Sequence, residues 1–170
     1  EPGSLVIVNQ GNLTPVAPYE LAERIRASVN VLGPLLTRCG EVTLSMPGGD
    51  DFGARPIDMH IAGLEQMGAT FKVAHGELHA SAERLVGAEI SLSFPSVVAT
   101  ENLVTAAVFA DGRTIIDNAA REPEVVDLCD FLVKLGAEIT GHGTSRIVVE
   151  GVERGTLRAP HHRTVPDRIQ

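Results

Sequence analysis

Gly63–Phe71 (GLEQMGATF) aligns without a gap onto Phe131–Ile139 (FLVKLGAEI), an offset of 68 residues. The same offset pairs Ile57 with Val125, Ile61 with Cys129 and Ser28 with Ser96, and ELHASAERLVGAEI with RIVVEGVERGTLR at about that spacing. A repeat of this length constrains the architecture more than any single motif, because one supersecondary unit must be built twice and the two copies must cover each other.

Periodicity and punctuation give the order of elements within a copy. Pro18 starts a helix, and Leu21, Ile25, Val29, Leu32 and Leu36 recur at helical spacing, which predicts one long, mostly buried helix. Glu41–Met46 (EVTLSM) alternates as a strand, Pro56 opens a second helix through Met67, Gly68 supplies a left-handed cap, and a hairpin turns at Gly76. The second copy reads as a helix from about Ser96 to Ala110, the strand RTIIDN, a helix from Pro123 closed by Gly136, and a final strand pair. Counting the strand that precedes each copy, the unit is βαβαββ. The expected organisation is a lone strand in residues 1–10 (SLVIVN), the tail of an earlier copy; a first repeat over 11–91; a second over 92–158; and an aperiodic linker or crossover over 159–170.

Apolar residues make up 44% of the chain, enough for a packed core, while a net charge of −8 argues against a nucleic-acid or anionic-membrane surface. Any phosphate site must then be local and built from a few arginines. No apolar run approaches the roughly 18 residues of a spanning helix, and no basic-then-apolar leader opens the chain, so the expected compartment is the cytoplasm. Cys39 and Cys129 lie far apart in apolar helical patterns, which suits two reduced packing residues better than a disulfide or a metal ligand. No cofactor and no metal site is expected.

Residues 46–56 hold the densest chemistry. Pro47-Gly48-Gly49 is a flexible turn that matches neither a phosphate-binding loop nor a dinucleotide fingerprint, and its ordinary reading is a plain connection. Asp50 and Asp51 are either solvated acids or a repelling pair in which one carboxyl stays protonated well above the ~3.9 of a free aspartate and can act as a general acid. Arg55 stands at a helix entrance whose free N–H groups favour anions. Asp58 and His60 follow on the first turn, His60 reading most simply as a surface histidine. Arg26, Ser28 and Asn30 form either a solvent-facing stripe on the first helix or a set paired with an anion. In the second copy Arg121 and Glu122 occupy the corresponding turn, where helix capping is the ordinary role for an acid.

Taken together, RASVNVLGPLLTR, PGGDDFGARPIDMHIAGLEQMGA, PSVVATEN, NAAREPEVVDLCDFLVKLGA and the terminal PDRI resemble the UDP-N-acetylglucosamine 1-carboxyvinyltransferase family of enolpyruvyl transferases, from about Ala17 to Ile169. The resemblance implies an inside-out α/β (α+β) fold of βαβαββ units packed around buried helices, of which this chain is most of one of two globular halves. It implies enolpyruvyl transfer from phosphoenolpyruvate to the 3′-hydroxyl of UDP-N-acetylglucosamine with release of phosphate. That is the first committed step of peptidoglycan synthesis, and so serves cell shape and division. The missing half is then a required partner, and the isolated chain is expected to lack turnover and to be prone to non-native self-association. A paralogue acting on another nucleotide or sugar hydroxyl, or a non-catalytic binding domain of the same fold, are the competing readings.

By position, the resemblance makes Asp50 the catalytic acid, where most members carry cysteine, and Arg55 the arginine that contacts both ligands. Pro56, Ile57, Asp58 and Met59 match the uridine-binding turn, Arg26 a further substrate contact, and Ser96 and Val97 the turn that holds the uridine diphosphate. Glu122 and Arg168 match positions lining or bracing the cleft. Asn30 stands where many members have tryptophan, Phe94 and Pro95 where some have lysine-valine, and Val98 where glycine is usual, so the departures gather near the nucleotide. A carboxylate is a poor thioether former, which predicts that an intact enzyme carrying this sequence resists fosfomycin, the epoxide that alkylates the family's cysteine. Rapid covalent inactivation, followed by mass spectrometry, would refute the Asp50 assignment.

Overall fold

The computed structural model describes residues 13–45 and 57–166. The strand expected in residues 1–10 and the loop 46–56 lie outside the described residues.

Among the described residues, two four-stranded sheets share one topology. The first has order β1-β2-β4-β3, from β1 (Val16–Ala17), β2 (Glu41–Ser45), β3 (Thr70–Ala74) and β4 (Glu77–Ser81). The second has order β5-β6-β8-β7, from β5 (Glu89–Ser91), β6 (Arg113–Asp117), β7 (Glu138–Thr140) and β8 (Arg146–Glu150). In each, the first two strands are parallel and the remaining pairs antiparallel. The parallel pair requires a helical crossover and the antiparallel pair a short hairpin, so the βαβαββ order read from the sequence is the order that the sheets adopt.

Between β1 and β2 the structure departs from the single long helix. The segment is broken into α1 (Tyr19–Ala22), a 3-10 helix (Arg26–Val31) and α2 (Leu32–Cys39). Ile25 is extended at φ −138°, ψ 135°, and Leu21 and Ile25 are 62% and 58% exposed, whereas Val29, Leu32 and Leu36 are buried. Pro34 bears on where α2 starts: it has no N–H and its ring opposes the Asn30 carbonyl four residues back, so an α-helix can begin around it but cannot run through it. Ser28, far from facing solvent, is buried and donates from Oγ to the Ala22 carbonyl at 3.1 Å, occupying a free acceptor near the end of α1.

The remaining helices follow the sequence signals. α3 runs Asp58–Gln66, and α5 runs Pro123–Leu135 with proline in its first turn and Gly136 closing it at φ 114°. α4 (Val97–Ala107) is capped by the Ser96 hydroxyl, which accepts from the Ala99 N–H at 3.3 Å. α4 buries residues on every side, including Ala99, Asn102, Leu103, Val104, Ala106 and Ala107. A helix buried on so many sides belongs inside a protein rather than on it. The sheets turn Leu44, Leu78 and Ala80, and Ile116, Ile147 and Val149, inward while their alternate residues face out. Helices inside and sheets outside give the inside-out α/β arrangement.

Close approach of α4 to its neighbours depends on two glycines and one amide. A methyl group on Gly33 would stand 2.5 Å from the Asn102 carbonyl oxygen, and one on Gly63 would stand 2.6 Å from Leu103 Cδ2. At this crossing Asn102, fully buried, accepts from the Gly33 N–H at 2.6 Å through Oδ1. Its Nδ2 donates to the Val29 carbonyl at 2.9 Å and lies 3.0 Å from His60 Nδ1. His60 is 3% exposed, which corrects its reading as a surface histidine: it faces the helix interior, where it meets a polar partner rather than water. Asn102→Ala would leave the buried Gly33 N–H of α2 without its partner, while the Val29 carbonyl keeps the Leu32 N–H. The expected cost is about 1–3 kcal/mol, the penalty of one orphaned buried group, and urea unfolding of the chain measures it.

Candidate functional site

Each helix that follows a strand starts at that strand's C-terminal end, where parallel α/β arrangements place ligands. α4 follows β5 and α5 follows β6, and hydrogen bonds stitch the two connecting turns together. Thr100 Oγ1 donates to the Ser96 carbonyl at 2.7 Å and accepts from the Ala120 N–H at 3.0 Å. Asn118, held in the left-handed region at φ 57°, donates from Nδ2 to the Leu92 carbonyl at 2.9 Å. Ser96 and Val97, nominated as diphosphate contacts, and Glu122, nominated as a cleft residue, are thereby brought to one end of the second sheet.

The local geometry sorts these residues by what they can offer. The Ser96 hydroxyl caps α4, so its neighbourhood presents backbone N–H groups at a helix start. Glu122 occupies the N-cap position of α5 without a side-chain cap, and its Oε2 accepts from the Arg121 N–H at 2.8 Å. The acid therefore braces the turn instead of capping the helix. At α3, Ile57 and Met59 are buried at 6% and 8% exposure and only Asp58 shows its side chain to solvent. Of this turn, Asp58 can meet a ligand through its carboxylate and the other two only through backbone groups.

Asp50, Arg55, Pro56 and Arg168 lie outside the described residues, as does the side chain of Arg26, whose backbone opens the 3-10 helix. Phe94, one of the departures from the family pattern, is 55% exposed immediately before α4.

Residues that the sequence reading did not nominate also gather here. Glu101, on α4, accepts from Asn30 Nδ2 at 2.7 Å, and burial raises its carboxyl above the ordinary 4.5, helped by the nearby Glu124 carboxylate and opposed by the Asn30 hydrogen bond. The partners are 71 residues apart, so no local pattern announces the pair. Cys129 is buried on α5, and desolvation, with Asp130 and Glu101 adding to it, pushes its thiol up to about 12. Such a thiol is a packing group rather than a nucleophile, and both cysteines are free.

The Glu101 shift has a definite sign. Because the folded value is raised, its contribution to stability is fully present below the ordinary carboxyl value of 4.5 and is lost as pH rises through the raised value. Glu101→Gln removes the ionisation. Its denaturation midpoint is expected to gain on the parent's as pH goes from acid to neutral, and parallel midpoints would refute this.

The sequence pattern of the EPSP synthase family (3-phosphoshikimate 1-carboxyvinyltransferase) matches residues 1–170. The UDP-N-acetylglucosamine 1-carboxyvinyltransferase of Corynebacterium jeikeium is 57% identical over 90% of this chain and 36% of its own length. The protein of that name from Corynebacterium efficiens is 51% identical over 98% of the chain and 39% of its own length. The chain thus spans little more than a third of the curated relatives it matches. Among solved structures, the enolpyruvyl transferase NikO from Streptomyces tendae superposes with a TM-score of 0.73 at 23% identity, over 86% of this chain and 34% of that one. An EPSP synthase from Acinetobacter baumannii superposes with a TM-score of 0.58 at 21% identity, over 77% and 29%. These likenesses carry the fold, and the buried-helix, double-sheet architecture agrees with them. With the family pattern running the length of the sequence and its fold built twice over from one βαβαββ unit, the chain belongs to the EPSP synthase (3-phosphoshikimate 1-carboxyvinyltransferase) family.

Proposed function

We propose that this chain is part of one globular half of a UDP-N-acetylglucosamine 1-carboxyvinyltransferase, working in the cytoplasm on UDP-N-acetylglucosamine and phosphoenolpyruvate. The observation that carries this reading is the 51–57% identity to curated proteins of that name over 90–98% of the chain. No helix among the described residues is long and apolar enough to cross a membrane.

The chemistry assigns a role to each nominated group. The acceptor hydroxyl oxygen bonds to C2 of phosphoenolpyruvate while C3 takes a proton, giving a tetrahedral ketal phosphate, and the hydroxyl proton leaves to a base outside this chain. Loss of a C3 proton with cleavage of the C2–O bond to phosphate then yields the enol ether and inorganic phosphate. Asp50 is the proton donor to C3, delivered on the Pro47-Gly48-Gly49 pivot. Arg55, at the entrance to α3, balances the charge of phosphate and carboxylate. Arg26, the Pro56-Ile57-Asp58-Met59 turn and the Ser96-Val97 turn hold the nucleotide, while Glu122 and Arg168 shape the cleft.

A paralogue with a different acceptor is the second reading. It is favoured by Asn30, which forms a hydrogen-bonded pair with Glu101 at a position where the family often has tryptophan.

The test is phosphate release from phosphoenolpyruvate and UDP-N-acetylglucosamine by full-length enzyme containing this chain, beside its Asp50→Asn variant. The amide cannot donate an acidic proton, so turnover is expected to fall by about 10²–10⁴. Turnover of the amide variant at the parent's rate would remove Asp50 from the mechanism, and a parent active only with another acceptor would favour the paralogue.

A further inference from the structure

Between the 3-10 helix, α4 and α5 lies a pocket of about 260 Å³ lined by Asn30, Glu101, Thr105 and Leu128. Its polar groups are unbalanced. Asn30 donates one amide N–H to Glu101 Oε2, and its Oδ1 is buried with no hydrogen-bond partner among the described residues. Thr105 commits its hydroxyl proton to the backbone carbonyls of Glu101 and Asn102, at 2.8 and 2.9 Å, leaving only acceptor capacity. Leu128 supplies an apolar wall. An orphaned buried carbonyl oxygen is costly unless something donates to it.

We propose that this pocket is a recognition subsite for an uncharged, hydrogen-bond-donating substituent of the acceptor sugar, an amide N–H or a hydroxyl, received by Asn30 Oδ1 with Leu128 against its carbon atoms. This rests on the reading of the chain as a nucleotide-sugar enzyme and names the group that sets its acceptor preference.

The chemistry excludes the main alternatives. A phosphate or carboxylate would stand against the Glu101 carboxyl and the Asn30 and Thr105 oxygens. An ammonium would need a free counter-charge, whereas the Glu101 carboxyl already accepts from Asn30. Position also fits. Glu101 lies five residues beyond Ser96, about 7.5 Å along α4, and Asn30 four residues beyond Arg26, about 8 Å along the 3-10 helix. A sugar joined to a diphosphate at the start of α4 spans such a distance.

The test is calorimetric titration of the full-length enzyme and its Asn30→Leu variant with UDP-N-acetylglucosamine, UDP-glucose and UDP. Leucine keeps the volume and removes the acceptor. The expected result is about a tenfold loss for the nucleotide sugar, the size of one hydrogen bond, with UDP unchanged. Loss confined to UDP-N-acetylglucosamine assigns the amide, and equal loss for both sugars assigns a hydroxyl. Unaltered affinity for both sugars, or equal weakening of UDP, would overturn the subsite while leaving the nucleotide-sugar reading in place. A parent that binds neither UDP nor either sugar nucleotide would overturn that reading and the subsite with it. Should Asn30→Leu fail to fold, Asn30→Ala carries the same readout.

Discussion

A buried amide sits at the junction of the two repeats. Asn102 sits where α4 crosses α2 and α3, and it joins Gly33, Val29 and His60 at a point where no water can replace any of them. The crossing is possible because Gly33 and Gly63 have no side chain to keep α4 away. Hydrophobic burial alone would pack these helices at many rotations. A buried donor-acceptor set that is satisfied in only one arrangement selects the register.

That register decides what the surface can do. α4 is central to the core and also supplies the Ser96-Val97 turn and the Asn30–Glu101 pair, so its rotation governs both. Thr100, one helical turn from Ser96, ties the start of α4 to the loop before α5. The polar faces of the site are thus extensions of the packing. A further link comes from the last stretch of the second repeat, where the Arg154 guanidinium donates to the Thr37 carbonyl of α2.

Much of this was legible in the primary structure. Pro123 and Gly136 bounded α5, alternation marked β2 and β6, and the repeat announced two like sheets. The first helix was misread because apolar spacing through Leu21 and Ile25 looks continuous; the break falls at an extended Ile25, and Pro34 limits how far α2 reaches back. His60 was misread because a lone histidine carries no signal of its burial until α4 covers it. Of the site, Ser96 and Glu122 could be nominated from turn chemistry and family pattern. Glu101 could not be, since its partner is 71 residues away and its own helical neighbours are ordinary.

Local chain chemistry therefore determined the identity and order of the elements, the duplication and the residues suited to anion and proton chemistry, because turns, caps and periodicity act over a few residues. Only the tertiary structure decided which faces meet: that Asn102 closes the helix crossing, that Ile57 and Met59 turn inward while Asp58 does not, and that Asn30 and Glu101 share a pocket. Those outcomes depend on satisfying buried polar groups and filling space between segments far apart in the chain, and no short window of sequence contains both sides of such a contact.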